Sequence, residues 1–348
     1  MQFFTAKKAV AAGMALALSL SVCSCVREVG LQSETYYDMF DTFVTVMAYG
    51  EETETFENNC EAIVDTLYEC SCLFDIYREY DGINNLATVN KNAGKQKTEV
   101  DERIISLLEF SREAYELTDG EVNVAMGSVL SLWHESREKN SLQPGSAPIP
   151  TEEELSDAAR HTDISSIKVD RESMSVYIED PMCSIDVGAV AKGFAADEVR
   201  AVLAERGIST GYAVNLGGNV ITIGKKSDVE GWSVSVRDPY SDGASAICSV
   251  ITEDKSLVSS GVYERKFEYG GKEYHHIIDE DTLYPSDHFD AVSVLGESSA
   301  LCDALSTALL CMTLEEGKTL IESTDGVEAM WIKDGEIFRS SGFVENEG

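Results

Sequence analysis

The chain has 348 residues, 62 of them acidic and 27 basic, for a formal net charge of −35. Its length and apolar content suffice for one large core or two smaller ones. The absence of a basic footprint excludes nucleic acid as a broad-surface partner. Any phosphate bound here must be met locally, by helix termini, a few cations or a metal ion.

The chain opens on a targeting pattern. Lys7 and Lys8 precede an apolar run, Ala9–Val22, that is short for a membrane span. Val22-Cys23-Ser24-Cys25 closes it, and this resembles a bacterial lipoprotein signal, with small Ser24 placing the lipidated residue at Cys25. A plain secretory signal cleaved nearby is the other reading. Residues 1–25 are therefore expected to be a signal, 26–35 a polar tether and 36–348 the folded part. The protein is expected outside the cytoplasm, held to the membrane by its lipid.

Phe40–Ala48 alternates as a strand does, and Glu51–Phe74 carries Ile63, Leu67 and Cys70 at helical spacing. Ile76–Asn90 reads as a loop. Asp101 is an N-cap for a helix to Leu117, stopped by Asp119-Gly120. Val122–Trp133 is small and apolar. Glu135–Glu154, charged and holding Pro144, Pro148 and Pro150, reads as an exposed excursion before a short helix. Strands are then expected at Ile167–Val169, Ser175–Ile178, Gly211–Asn215, Val220–Gly224, Trp232–Val236, Ala246–Thr252, Ser256–Ser259, Glu273–Ile278 and Ala291–Leu295. Helices at Ala300–Met312 and Leu314–Ser323 follow, and a hairpin turning at Asp334-Gly335 ends the chain. Consecutive strands are joined too tightly for crossover helices. The expected fold is α+β, a single compact domain of largely antiparallel or mixed sheets packed with helices.

Four stretches carry chemistry. In Cys183–Gly193, Asp186 ends an apolar run, Gly188-Ala189 turns, and a helix begins with Lys192 in its first turn. Such a helix start suits an anion. Asn215-Leu216-Gly217-Gly218-Asn219 is a tight turn where a ligand can approach backbone. Ser259–Arg265 precedes Tyr274–Asp279, with His275 and His276 expected on a strand and pointing to opposite faces. Asp303 and Thr307, one helical turn apart, present a carboxylate and a hydroxyl together, hard oxygens that suit Mg²⁺. Each alone is also what an ordinary strand–turn–helix, hairpin, structural histidine or helix N-terminal acid requires. Cys60, Cys70, Cys72, Cys183, Cys248, Cys302 and Cys311 lie mostly in apolar runs and lack zinc-site spacing, so they read as buried thiols.

Together, Asp186-Val-Gly-Ala-Val-Ala-Lys192-Gly193-Phe-Ala-Ala-Asp197, Val214-Asn215-Leu-Gly-Gly218, Ser260-Gly261, His276-Ile277-Ile278-Asp279 and Asp303-Ala-Leu-Ser-Thr307 stand in a recognisable order. From about Met39 to the terminal hairpin the chain resembles the FAD:protein FMN transferases, the ApbE-type flavin transferase family. The resemblance implies transfer of FMN from FAD to a threonine or serine of an extracytoplasmic acceptor flavoprotein, with AMP leaving. It implies FAD contacts at Met39, Tyr77, Glu121, Val122, Asn123, Asp186, Lys192 and Ile277. Asn215, Gly217, Gly218, Ser260 and Gly261 join them as lining residues. Mg²⁺ would be held by Asp303, Thr307 and the Ala189 carbonyl, with His276 near the pyrophosphate. Asp303, His276 and Lys192 are the expected catalytic set. Splitting a pyrophosphate needs charge neutralisation and an aligned nucleophile. The base is either Asp303 itself or a metal-bound hydroxide.

The chain departs from the family pattern at Phe40-Asp41, where a glycine is usual, at Asn123, usually Asp, and at Glu280 and Leu283, usually Pro and Gly. Two other functions fit the same residues: an FAD pyrophosphatase giving free FMN and AMP, or a non-catalytic flavin-binding lipoprotein. Asp242-Gly-Ala-Ser245 partly echoes a flavin acceptor sequence but lacks its preceding hydroxyl residue.

Overall fold

A computed structural model describes residues 30–227, 230–241 and 245–346. The expected signal, with Cys23 and Cys25, lies outside them, as do residues 242–244 of the acceptor-like stretch. The first described element is a strand where a tether was expected. β1 (Leu31–Met39) pairs antiparallel with β2 (Thr42–Tyr49), Leu31 opposite Tyr49. In β2, Val44, Val46 and Ala48 are buried while Phe43 faces out. The polar residues of β1 hid the pairing, because an edge strand needs few apolar side chains. The two strands join through Phe40 and Asp41, both at φ 53, the left-handed pair of a tight hairpin turn. A glycine would sit there without strain; Phe40 costs about 1–2 kcal/mol.

α1 (Thr53–Phe74) buries Phe56, Cys60, Ile63, Leu67, Cys70 and Phe74 along one face. The stretch expected as a loop contains α2 (Leu86–Lys91), capped by fully buried Asn85, whose Oδ1 accepts the Thr88 amide at 3.1 Å. β3 (Thr98–Glu99) leads to α3 (Glu102–Leu117), capped by Asp101 as expected. α4 (Gly127–Leu142) runs well into the segment expected to be an exposed excursion. Buried Ser136 and Asn140 and the Glu135–Lys139 pair keep that segment helical until Gln143, just before Pro144. α5 (Glu152–Ala158) begins with a Thr151–Glu154 capping box. β4 (Ile167–Asp170) and β5 (Ser175–Ile178) join β3 in a small sheet of order β3-β5-β4.

α6 (Ala191–Glu205) is followed by the hairpin β6 (Tyr212–Leu216) and β7 (Asn219–Ile223). β8 (Trp232–Arg237) and β9 (Ala246–Thr252) form a separate two-stranded ribbon. Beyond β10 (Ser256–Gly261), the hairpin β11 (Phe267–Tyr269) and β12 (Lys272–Tyr274) turns through Gly270-Gly271. β12 stops at Tyr274, so His275 and His276 are not on a strand. Each ring binds a carbonyl instead, His275 that of Ser286 and His276 that of Glu264. β13 (Ala291–Gly296), α7 (Ser299–Cys311), α8 (Leu314–Ser323), β14 (Glu328–Lys333) and β15 (Glu336–Arg339) complete the chain.

The main sheet has the order β1-β2-β6-β7-β10-β13-β14-β15, antiparallel at every pairing. One face, with Val214, Val258, Val292 and Trp331, packs on α1, α6 and α7. The other, with Ala213, Leu257, Ala291 and Met330, is covered by the β8–β9 ribbon through Trp232, Val234 and Val250. This is the α+β arrangement expected from the short connections. α7 lies against α6, β10 and β13 and is buried almost all round. Asp303 on such a helix, 1% exposed, calls for a reason beyond packing. The cysteines Cys60, Cys70, Cys72, Cys183, Cys302 and Cys311 are buried thiols, and Cys248 is half-buried; no disulfide joins the described residues.

Candidate active site

The turn before α6 is where the site is anchored. The Asp186 amide donates to the Val124 carbonyl, and the Gly188 amide donates to Asp186 Oδ1 at 2.9 Å. No regular strand precedes the helix; residues 183–186 are extended, with a single bridge from Ser184 to Met126. In a regular helix the Gly193 amide would bond back to the Ala189 carbonyl. It donates instead to Asp303 Oδ2 at 2.8 Å, and among the described residues the Ala189 carbonyl receives no donor. Lys192 Nζ stands 3.4 Å from Asp303 Oδ1. Thr307, one turn along α7, sends its hydroxyl toward the Asp303 carbonyl at 3.4 Å. The buried Asp303 carboxylate is thus tied to the first turn of α6, next to an open Ala189 carbonyl there, and Thr307 follows one turn along α7; oxygens of these kinds are what Mg²⁺ takes.

The other expected residues come from separate elements, and Ser260 reaches α7 directly. Ser260, at the end of β10, shares a 2.7 Å hydrogen bond with Ser306 of α7. Gly261 has no room for a side chain, since a Cβ would lie 2.1 Å from the Tyr263 ring. Asn215 Oδ1 accepts the Gly218 amide at 3.0 Å, and Gly217, at φ 56, lies against Thr42 of the β1–β2 turn. Met39 is buried beside that turn. Tyr77 is 63% exposed and stacks on His134 with ring centroids 4.7 Å apart. Ile277 is buried behind His276. The His276 Nδ1 proton is donated to the Glu264 carbonyl at 3.2 Å, leaving Nε2 as an acceptor. Burial and the positive charges of Arg265, His275, Arg137 and Lys192 push His276 down to about 3, so its ring stays neutral. Burial raises the Asp186 carboxyl, against the pull of the Gly188 amide, His134, Arg137 and Arg265.

Glu121, Val122 and Asn123 form a second patch. The Val122 amide is taken by Thr118 Oγ1, and Asn123 Nδ2 donates to the Thr162 carbonyl and to Glu280 Oε1, both at 2.9 Å. Two of the unusual residues of the chain, Asn123 and Glu280, are therefore partners. An Asp at 123 could not donate to Glu280. Glu121 is pushed up to about 7 by burial, with Asp279, Asp281 and Glu280 adding to it. Because the folded chain holds this proton more tightly than the unfolded chain, its contribution is complete below about 4.5 and is lost as pH rises to about 7. Glu121→Gln is expected to flatten that part of the thermal-midpoint profile between pH 4.5 and 7.5. An unchanged slope would show that Glu121 is already ionised across the window.

Three residues near the expected site were given no role by motif reading: His134 and Arg137 on α4, which lay outside every motif, and Arg265, which ends the Ser259–Arg265 stretch between β10 and β11. The signal for α4 was the i, i+3 spacing of a histidine and an arginine, hidden within a segment that reads as solvated charge. Two surface depressions among the described residues lie elsewhere. One of about 140 Å³ sits between α4 and Pro148-Ile149-Pro150. The other, of about 350 Å³, is lined by Arg200, Ile223 and Glu297. Neither includes Lys192 or Asp303, whose chemistry marks the site more firmly than the hollows do.

A model of the ApbE family matches residues 40–331. The FAD:protein FMN transferase of Treponema pallidum (strain Nichols) is 32% identical over 276 residues, 75% of this chain and 74% of that protein. That of Klebsiella pneumoniae (strain 342) is 29% identical over 280 residues, 78% of this chain and 84% of that protein. Among solved structures, the ApbE protein of Thermotoga maritima superposes with a TM-score of 0.77 at 27% identity, covering 89% of this chain and 97% of that one. The flavin transferase ApbE of Vibrio cholerae shares the fold, with a TM-score of 0.71 at 23% identity over 90% and 98% of the two chains. With a family model matched over most of the chain and a relative at this level of identity, the chain belongs to the ApbE family.

Proposed function

We propose that this protein transfers FMN from FAD to a threonine or serine hydroxyl of an acceptor flavoprotein and releases AMP, with Mg²⁺ as cofactor. The observation that carries the reading is the α6–α7 junction. Buried Asp303 there accepts the Gly193 amide and stands 3.4 Å from Lys192, the Thr307 hydroxyl lies on its backbone carbonyl, and the helix leaves the Ala189 carbonyl unbonded. The relatives named FAD:protein FMN transferases support the substrate and the acceptor class. Mg²⁺ held by Asp303, Thr307 and Ala189 would neutralise charge on the phosphate nearer riboflavin.

The chain's own residues account for the remaining requirements. The hydroxyl oxygen forms a bond to the riboflavin-side phosphorus as the bond to AMP breaks, and the hydroxyl proton leaves to a base. Lys192 and the start of α6 add fixed positive potential in an acidic protein. Neutral His276 offers Nε2 to orient the incoming hydroxyl, while Asp303, anchored by the Gly193 amide, is positioned to take the proton. Met39, Asn215, Gly217, Gly218, Ser260 and Gly261 bring backbone close to the flavin half. Tyr77 packs on the dinucleotide, and Glu121–Asn123 line the adenine-nucleotide end. The protein works outside the cytoplasm, tethered by a lipid on Cys25.

The test is mass spectrometry of candidate acceptor peptides after incubation with the protein, FAD and Mg²⁺. A covalent gain equal to FMN, with stoichiometric AMP, is expected. Rapid AMP release with no acceptor present would assign the protein as a pyrophosphatase. Bound flavin without AMP would make it a binding protein.

A further inference from the structure

Two arginines stand near the site without a close carboxylate partner. Arg137, on α4, has a side chain only 17% exposed, and its nearest acid is Glu138 at 3.9 Å. Its Nη2 donates to His134 Nδ1 at 2.7 Å, so a neutral ring is what it binds. Burial, and then the positive charge of Arg265, weaken its hold on its proton. Arg265 is exposed and makes no ion pair within 4.0 Å among the described residues. It adopts φ 46, a left-handed conformation that a non-glycine residue keeps only when its surroundings impose it. The neighbouring Glu264 carbonyl is held by His276, which fixes the loop presenting Arg265. The acids whose charge reaches this cluster are Glu138, at 3.9 Å from Arg137, and Asp186 and Asp41, neither of which pairs directly with a guanidinium. Other arginines of the chain pair closely, Arg171 with Glu109 at 2.6 Å and Arg103 with Glu69 at 2.9 Å. For Arg137, mostly buried, a single long pair to exposed Glu138 leaves much of the cost of burying its charge uncompensated. An anionic ligand removes that cost.

We propose that Arg137 and Arg265 form a clamp for the diphosphate of the substrate dinucleotide, gripping its phosphate oxygens. The guanidinium fork matches phosphate geometry in a way the Lys192 ammonium does not. The clamp rests on the FAD reading above and adds to it two residues that no motif supplies. When the bond between the two phosphates breaks, AMP departs with the additional negative charge, and a guanidinium on that phosphate favours its departure.

The test uses the full chain and its Arg137→Gln, Arg137→Lys and Arg265→Gln variants. Calorimetry measures their affinities for FAD, AMP, FMN and riboflavin, the last carrying no phosphate. Arg137→Gln is expected to weaken FAD at least tenfold and Arg265→Gln severalfold, with riboflavin unchanged and Arg137→Lys partly restored. Parallel loss of AMP places the clamp on the departing half, and parallel loss of FMN on the transferred half. The clamp is overturned if riboflavin weakens alongside FAD, if neither phosphate-bearing half weakens, or if FAD binds both glutamine variants as it binds the parent. A parent protein that binds no FAD overturns the FAD reading and the clamp with it. Exposed Arg265 keeps the test valid should Arg137→Gln fail to fold.

Discussion

Asp303→Asn is expected to lower the rate of FMN transfer about a thousandfold, roughly 4 kcal/mol of transition-state stabilisation, while the fold survives. The amide oxygen of asparagine can still accept the Gly193 N–H that Asp303 Oδ2 now takes at 2.8 Å. What disappears is the negative charge, and with it the attraction for a divalent cation and for Lys192. Asp303→Ala removes the acceptor as well. It leaves the Gly193 amide buried and unpaired, a further loss of about 1–3 kcal/mol in stability. The pair of variants therefore separates chemistry from architecture. Mass spectrometry of an acceptor peptide follows transfer, Mg²⁺ titration follows the metal, and thermal unfolding follows the fold. If Asp303→Asn keeps more than a tenth of the parent rate, the metal is held elsewhere.

The electrostatics of the site run against those of the molecule. A chain of net charge −35 assembles Lys192, Arg137 and Arg265 close enough to keep His276 neutral. The arrangement concentrates positive potential at one place on a surface that otherwise repels anions.

Much of the fold was legible because its signals are local. The alternation of Val44, Val46 and Ala48, the Asp101 cap and the Asp334-Gly335 turn each predict their element. The i, i+4 pair Asp303–Thr307 predicts its shared helical face. Elements whose stability comes from elsewhere were not legible. β1 exists because β2 offers it an edge, and α2 because buried Asn85 also bonds the Cys72 and Arg78 carbonyls. The Tyr274–Ile278 stretch has the composition of a strand. There the chain leaves the sheet because ring-to-carbonyl bonds of His275 and His276 replace ladder bonds. The same logic applies to the site. The motifs that a ligand's close approach imposes on the backbone could be read from order and spacing. Arg137 and Arg265 could not, because a guanidinium's role depends on which carboxylates are absent around it, and absence leaves no pattern in a sequence.

Gly193→Ala tests how tightly the site depends on the approach of α6 to α7. In an open helix the substitution would stabilise by up to about 1 kcal/mol, since alanine loses less backbone freedom than glycine. Here the new Cβ would lie 2.3 Å from the Ser299 carbonyl oxygen, 2.7 Å from its carbon and 2.6 Å from Asp303 Cβ. Ser299 presents backbone, so no rotamer change relieves the overlap, and the helices must separate. Overpacking of this kind costs about 1–3 kcal/mol and sometimes more, which outweighs the propensity gain. The same displacement moves Asp303 away from the Gly193 amide and from Lys192, the two contacts that fix its carboxylate. A shift of about 1 Å at a reacting group lowers rates by roughly a hundredfold. Gly193→Ala should therefore lose both stability and transfer, with Mg²⁺ affinity falling alongside the rate. Retention of parent-like thermal stability together with full transfer would mean that α6 and α7 do not meet at Gly193, and the junction would no longer explain the site.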